Sequence, residues 1–319
     1  MNFRHHLSTL LTLVLLCFPF INTYAQTTLS PSDHCRNFSA DAIVSFADQD
    51  LAEVVNDALG LDSQAPLTCG QAAELEQLIV GTTIERVVYG GTLRPSPEKP
   101  FESLEGIQNL TGLTRLNLIN RLITDISPIR SLTNLVNLNL HTNWFNDLSP
   151  VSGLTNLEQL VVSENPIFDI SPLAGLTKLR RLHVHGLYPH QLQHYLDMDD
   201  GRDPNVVFNG ITDISALAGL TEMRLLRIHL NAISDIGPLA NLTKLTHLRI
   251  YNSEIKDISA LANMNDLTLL WANNNQIEDI SALRGKPALV QLSLNDNAIS
   301  DVSALQDSIN LRYLFLSNN

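Results

Sequence analysis

The sequence predicts an α/β solenoid, and three observations carry the prediction. The phrase L-x-x-L-x-L at Leu113–Leu118 recurs at multiples of 22 residues: Leu135–Leu140, Leu157–Val162, Leu179–Val184, Met223–Ile228, Leu245–Ile250, Leu267–Ala272, Leu289–Leu294 and Leu311–Leu316. A second phrase follows, as in Asn143…Phe145-x-Asp-Leu-Ser-Pro and Asn165…Ile167-x-Asp-Ile-Ser-Pro. Inside the first phrase, L-x-L is the alternation of a half-buried strand. A fixed period of this length means one short strand per turn, stacked into a parallel sheet whose apolar face is buried only by its neighbours.

Taken in order, residues 1–25 read as a secretory leader. Arg4 gives a positive start, Leu7–Ile21 is apolar, and Thr23-Tyr24-Ala25 suits a cleavage site. Leu16 before Cys17 is too large for a lipoprotein signal. No later stretch is apolar enough to span a bilayer. With the leader removed, Cys35 and Cys69 remain. An even pair in an exported chain points to one disulfide, with two buried thiols as the alternative.

Residues 26–82 form a cap that lacks the repeat. Asp48 opens a helix with Leu51, Val54, Val55, Ala58 and Leu59 on one face, and Gly60 stops it. A second short helix starts after Thr68 and carries Ala72, Leu75 and Leu78. Residues 83–319 are the solenoid. Ile84–Tyr89 reads as a first irregular strand, Thr92–Pro100 as a loop, and Ser103–Ile107 re-enters the frame.

Within each turn, an Asn leaves the strand, at 143, 165, 209, 231, 275, 297 and 319. Its amide suits the backbone groups of a bend. Arg121, Leu187 and Ser253 replace it, which predicts weaker turns there. The Asp of the second phrase (Asp125, Asp147, Asp169, Asp213, Asp235, Asp257, Asp279, Asp301) precedes a short helical turn and reads as a cap, with a calcium-binding column as the less favoured alternative. Leu176 and Leu220 are two periods apart, yet 186–208 does not fit, so one repeat is degenerate or an insertion interrupts it. The chain reaches Asn319 with no C-terminal cap, which reads as a truncation or as an end that a partner or second copy covers; such an end invites end-to-end self-association.

Over Leu110–Asn319 the pattern LxxLxxLxLxxNxIxDIsPLaxLtn resembles the 22-residue leucine-rich repeats of bacterial internalins and related secreted proteins. The segment FADQDLAEVVNDALGL is similar to their helical N-terminal cap. The resemblance implies a leucine-rich-repeat horseshoe with a parallel β-sheet on its concave side, short 3-10 or irregular convex segments, and partners bound on the concave face.

Strands stack about 4.8 Å apart, so residues 22 apart form ladders on that face. One ladder runs through His183, Arg227, Arg249 and Trp271, a second through His185, His229 and Tyr251, and a third through Arg181 and His247. Together these nine residues make a basic, aromatic candidate binding patch, of the residue types that dominate interfaces. Exposed strand positions also favour aromatic residues for structural reasons. The chain has 33 acidic and 20 basic side chains, net −13, and loss of the leader removes only the basic Arg4. That balance argues against nucleic-acid binding. A patch of opposite sign fits a protein ligand with an acidic or glycan-bearing surface. His183, His185, His190 and His194 lie near Asp197, Asp199 and Asp200, but the helix that would hold the last two histidines is unsupported, and no metal is assigned. Histidines that titrate near neutrality would make binding pH-sensitive. No nucleophile–base spacing, P-loop or dinucleotide turn is present, so neither an enzyme nor a cofactor is expected.

The expectation is thus an exported, non-catalytic protein-binding module at the cell surface, secreted, or in the periplasm. A glycan-binding surface module, or a structural or inhibitory envelope partner, is the alternative.

Overall fold

The computed structural model describes residues 26–81, 100–188 and 210–319. The leader, the strand expected over Ile84–Tyr89, most of the Thr92–Pro100 loop and the residues 189–209 lie outside them.

The cap is built as its sequence dictates. Strand β1 (Ile43–Val44) pairs antiparallel with β2 (Leu67–Thr68). Helix α1 (Gln49–Ala58) begins where the Asp48 carboxylate accepts the Leu51 N–H at 2.8 Å. It buries Leu51 and Val55, and ends before Gly60, whose φ of 69° is cheap only for glycine. The second Asp48 oxygen accepts the Glu102 N–H at 2.6 Å, which ties the helix start to the repeats. Helix α2 (Cys69–Glu74) starts at a reciprocal Thr68–Gln71 capping box. A Cys35–Cys69 disulfide with Cα atoms 5.5 Å apart fastens the N-terminal segment to α2. The second helix is shorter than its sequence suggests. Leu78 belongs instead to β3 (Gln77–Val80), which is the first strand of the main sheet. The segment has period-two burial, with Leu78 and Val80 inward and Gln77 and Ile79 outward.

Among the described residues the main sheet is parallel and runs in chain order: β3, β4 (Arg115–Leu118), β5 (Asn137–Asn139), β6 (Gln159–Val161), β7 (Arg181–His183), β8 (Leu225–Arg227), β9 (His247–Arg249), β10 (Leu269–Trp271), β11 (Gln291–Ser293) and β12 (Tyr313–Phe315). The central leucines Leu116, Leu138, Leu160, Leu182, Leu226, Leu248, Leu270 and Leu292 stand in register and are fully buried.

Each turn then bends twice. At the first bend the Asn side chain replaces ladder bonds. Asn143 Nδ2 donates to the carbonyls of Leu118 and Leu140, and its Oδ1 accepts from the N–H groups of Arg121 and Ile123. Asn275, Asn297 and Asn319 likewise donate to two carbonyls, and each accepts one N–H, from Ile255, Ile277 and Ile299. Ser253 is too short to do so, and its buried hydroxyl finds no partner among the described residues. At the second bend a one-turn 3-10 segment such as Ser259–Leu261 crosses the far side. Its cap is the Ile before it, and the Asp acts from one residue further back. Asp257 Oδ1 accepts the Ser259 N–H at 2.7 Å, and Oδ2 accepts the Ser259 hydroxyl at 2.9 Å. The backbone part of this Asx turn recurs at Asp125, Asp147, Asp169, Asp213, Asp235, Asp279 and Asp301.

The irregular stretch follows from the register. Arg181 pairs with Leu225, a separation of 44 residues where neighbouring pairs are separated by 22. Asn231 likewise bonds the carbonyl of Val184, while its Oδ1 accepts from Ile211 in the usual place. The ladder therefore passes directly from β7 to β8, with one extra period of sequence between them. Glycines bracket the exit and return. A Cβ on Gly186 would lie 1.9 Å from the Leu230 carbonyl oxygen, and Gly210 has φ 66°.

Candidate binding surface on the concave face

The register confirms the three concave ladders. His183 pairs with Arg227, Arg227 with Arg249, Arg249 with Trp271, and Arg181 lies two rungs from His247. Strand alternation turns these side chains away from the leucine core.

Rings of the second ladder stack on one another. His185 and His229 lie 4.3 Å apart at 21°, and His229 and Tyr251 4.1 Å apart at 22°. Tyr251 and Trp271 are 6.3 Å apart and tilted. The Arg249 guanidinium sits 4.0 Å over the Trp271 ring, a cation–π contact. Arg181 and His247 are exposed; His183, His185, Arg227, Arg249, Tyr251 and Trp271 are half-buried. His229 is buried, at 2 % exposure, and so forms the floor of the patch. His229 Nδ1 and Trp271 Nε1 are buried without a hydrogen-bond partner among the described residues. Such atoms cost stability, and folding alone does not account for them.

The electrostatics overturn the expectation of histidines poised near neutrality. Burial, reinforced by Arg227 and neighbouring histidines, pushes the His183 imidazole down to about 3. Burial likewise lowers His185 to about 4, against the pull of Glu164. His229 is lowered further by the same cause, and His247 is lowered by partial burial and the nearby Arg249. These rings are neutral at physiological pH, so the positive charge of the patch comes from its arginines. Of the histidine and aspartate cluster weighed and not assigned as a metal site, His190, His194, Asp197, Asp199 and Asp200 lie outside the described residues. Sequence reasoning passed over His141 and Glu164, which the register brings beside His185. The signal was present in the ladder, because His141 stands two rungs from His185.

A family model for "Leucine Rich repeats (2 copies)" matches residues 243–285. No curated protein matches the chain. Among solved structures, an internalin (InlF) from Listeria monocytogenes is 35% identical, covers 86% of this chain and 83% of its own, and superposes with a TM-score of 0.50. Internalin C2 from the same organism is 29% identical over 88% of this chain and all of its own, with a TM-score of 0.61. The functional domain of Listeria InlJ, 19% identical with a TM-score of 0.58, shares the fold; the match spans 59% of that chain. With its register, its disulfide-fastened helical cap and this similarity, the chain belongs to the internalin-like family of leucine-rich-repeat proteins.

Proposed function

We propose that this protein is an exported, non-catalytic module that recognises a protein partner through its concave face, in the manner of an adhesin. Residues 1–25 direct export, 26–82 cap the solenoid, and 83–319 present the surface. The cap disulfide suits an oxidising compartment outside the cytoplasm, at the cell surface, secreted or in the periplasm. Among the described residues no helix is long and apolar enough to cross a membrane.

The observation that carries the reading is the ring ladder from His185 to Trp271 flanked by Arg227 and Arg249, on a chain of net charge −13. It favours a protein over a sugar. A sugar ring stacks on a free aromatic face, but one face of Trp271 is held by Arg249 and one face of Tyr251 by His229. The guanidinium groups of Arg227 and Arg249 beside these rings suit acidic side chains.

The test is paired capture of cell-surface proteins on the wild-type chain and on an Arg227→Glu/Arg249→Glu/Trp271→Ala variant, with a sulfated glycan as a second analyte on the same sensor. An acidic protein held by the wild type and lost by the variant supports the proposal. Equal capture by both moves the site elsewhere, and retention of the glycan alone turns the reading to carbohydrate.

A further inference from the structure

Beside the aromatic patch, three side chains bring metal-ligand chemistry to one point. One ligand atom from each of His141, Glu164 and His185 lies within 4.8 Å of the others. They come from three successive turns. Two rungs of a parallel sheet stand nearly 10 Å apart, yet the His141 and His185 rings approach to 6.1 Å. They can do so because Ser163, the rung between them, is small; its buried hydroxyl finds no partner among the described residues.

Backbone carbonyls already orient both rings. His141 Nδ1 lies 3.1 Å from the Ser163 carbonyl, and His185 Nδ1 lies 3.3 Å from the Gly186 carbonyl. A carbonyl only accepts, so Nδ1 carries the proton in each ring and Nε2 is the basic nitrogen, as in metal-bound histidines. Glu164 accepts the Thr142 hydroxyl on one oxygen at 3.1 Å and turns the other to within 3.7 Å of His141 Nε2.

The geometry points to a divalent transition-metal centre of the zinc class, ligated by the imidazoles of His141 and His185 and the carboxylate of Glu164, with water in the fourth position. The simpler reading, a buried His141–Glu164 ion pair, does not explain the approach of His185. Two nitrogens and one carboxylate suit zinc rather than calcium, which takes oxygens. Ligand atoms around tetrahedral zinc lie about 3.3 Å apart, so the side chains need draw together only slightly. Bound metal would tie three consecutive turns together beside the β7–β8 junction.

The test uses the purified full chain, stripped with chelator and desalted. Titration with Zn2+ is expected to give one site per chain by calorimetry and a raised melting temperature, and Co2+ to give the visible bands of a tetrahedral nitrogen–oxygen site. His141→Ala, His185→Ala and the near-isosteric Glu164→Gln are each expected to lose more than the tenfold to hundredfold in affinity that changes at residues hydrogen-bonded to ligands cost, while His34→Ala binds as the wild type. Histidine side-chain nitrogen NMR on the unaltered chain covers the case in which a variant does not fold. Zn2+ should shift His141 and His185 and leave His34 and His247. Absence of binding, undiminished binding by Glu164→Gln and His141→Ala, or shifts confined to other histidines would overturn the assignment.

Discussion

At the scale of single residues, the fold depends on side chains that take over backbone bonding where the chain leaves the sheet. Asn143 is fully buried and serves two carbonyls and two N–H groups, so no smaller residue can replace it. Asn143→Ala strands those groups away from water, and at 1–3 kcal/mol for a stranded group the loss should reach about 3 kcal/mol or more. Urea denaturation checks it, with a fall in midpoint at constant slope. The converse holds at Ser253, where the position lacks its amide: Ser253→Asn should raise stability by about 1 kcal/mol in the same assay. The Asp column makes a pH prediction. The Ser259 N–H, then its hydroxyl, holds the Asp257 carboxyl below its ordinary value of 3.8. The folded chain therefore binds fewer protons there than the unfolded chain. Its contribution is complete above 3.8 and drains away as the pH falls through the folded value. Asp257→Asn should thus melt below the wild type at pH 6, and the gap should narrow by pH 3; a gap that is constant or widens on acidification would refute this account. The Asn and Asp columns were legible in the sequence because they repeat. Glu164 was not, because its meaning lies in the register that sets it between two histidines.

At the scale of elements, periodicity settled what it covers and little else. The strands from β4 onward, their leucine core and the three outward ladders could be read from a period of 22. The cap could be read from its caps: Asp48, Gly60 and Cys69 sit where local chemistry demands. Leu78 was misplaced because Ala72, Leu75 and Leu78 also fit helical spacing, and a four-residue strand cannot outweigh that alone. What decides it is tertiary: Gln77–Val80 pairs with β4 and covers the open side of the first repeat. The direct pairing of β7 with β8 across 44 residues likewise is not given by the period alone. That junction is tight. Gly186→Ala would place a methyl 1.9 Å from a backbone oxygen, which no rotamer relieves. Overpacking of this kind costs about 1–3 kcal/mol. Hydrogen exchange should show the loss concentrated in β7 and β8, whereas Gly175→Ala, in open space, should leave exchange unchanged.

At the scale of the whole molecule, a solenoid is a sum of turns and the interfaces between them, so its weakest part is a turn with one neighbour. In this chain β12 pairs only with β11 among the described residues. Tyr313, Leu314 and Phe315 are about half exposed, while the leucine matching Leu314 in every inner turn is fully buried. One consequence follows from that difference. Amides of β12 should exchange faster than those of β8 or β9 in residues 26–319, since opening them sacrifices one interface rather than two. A consensus turn stacked on β12 after Asn319 should slow that exchange and raise the unfolding midpoint; exchange in β12 that is no faster than in β8, or that an added turn leaves unchanged, would refute this account.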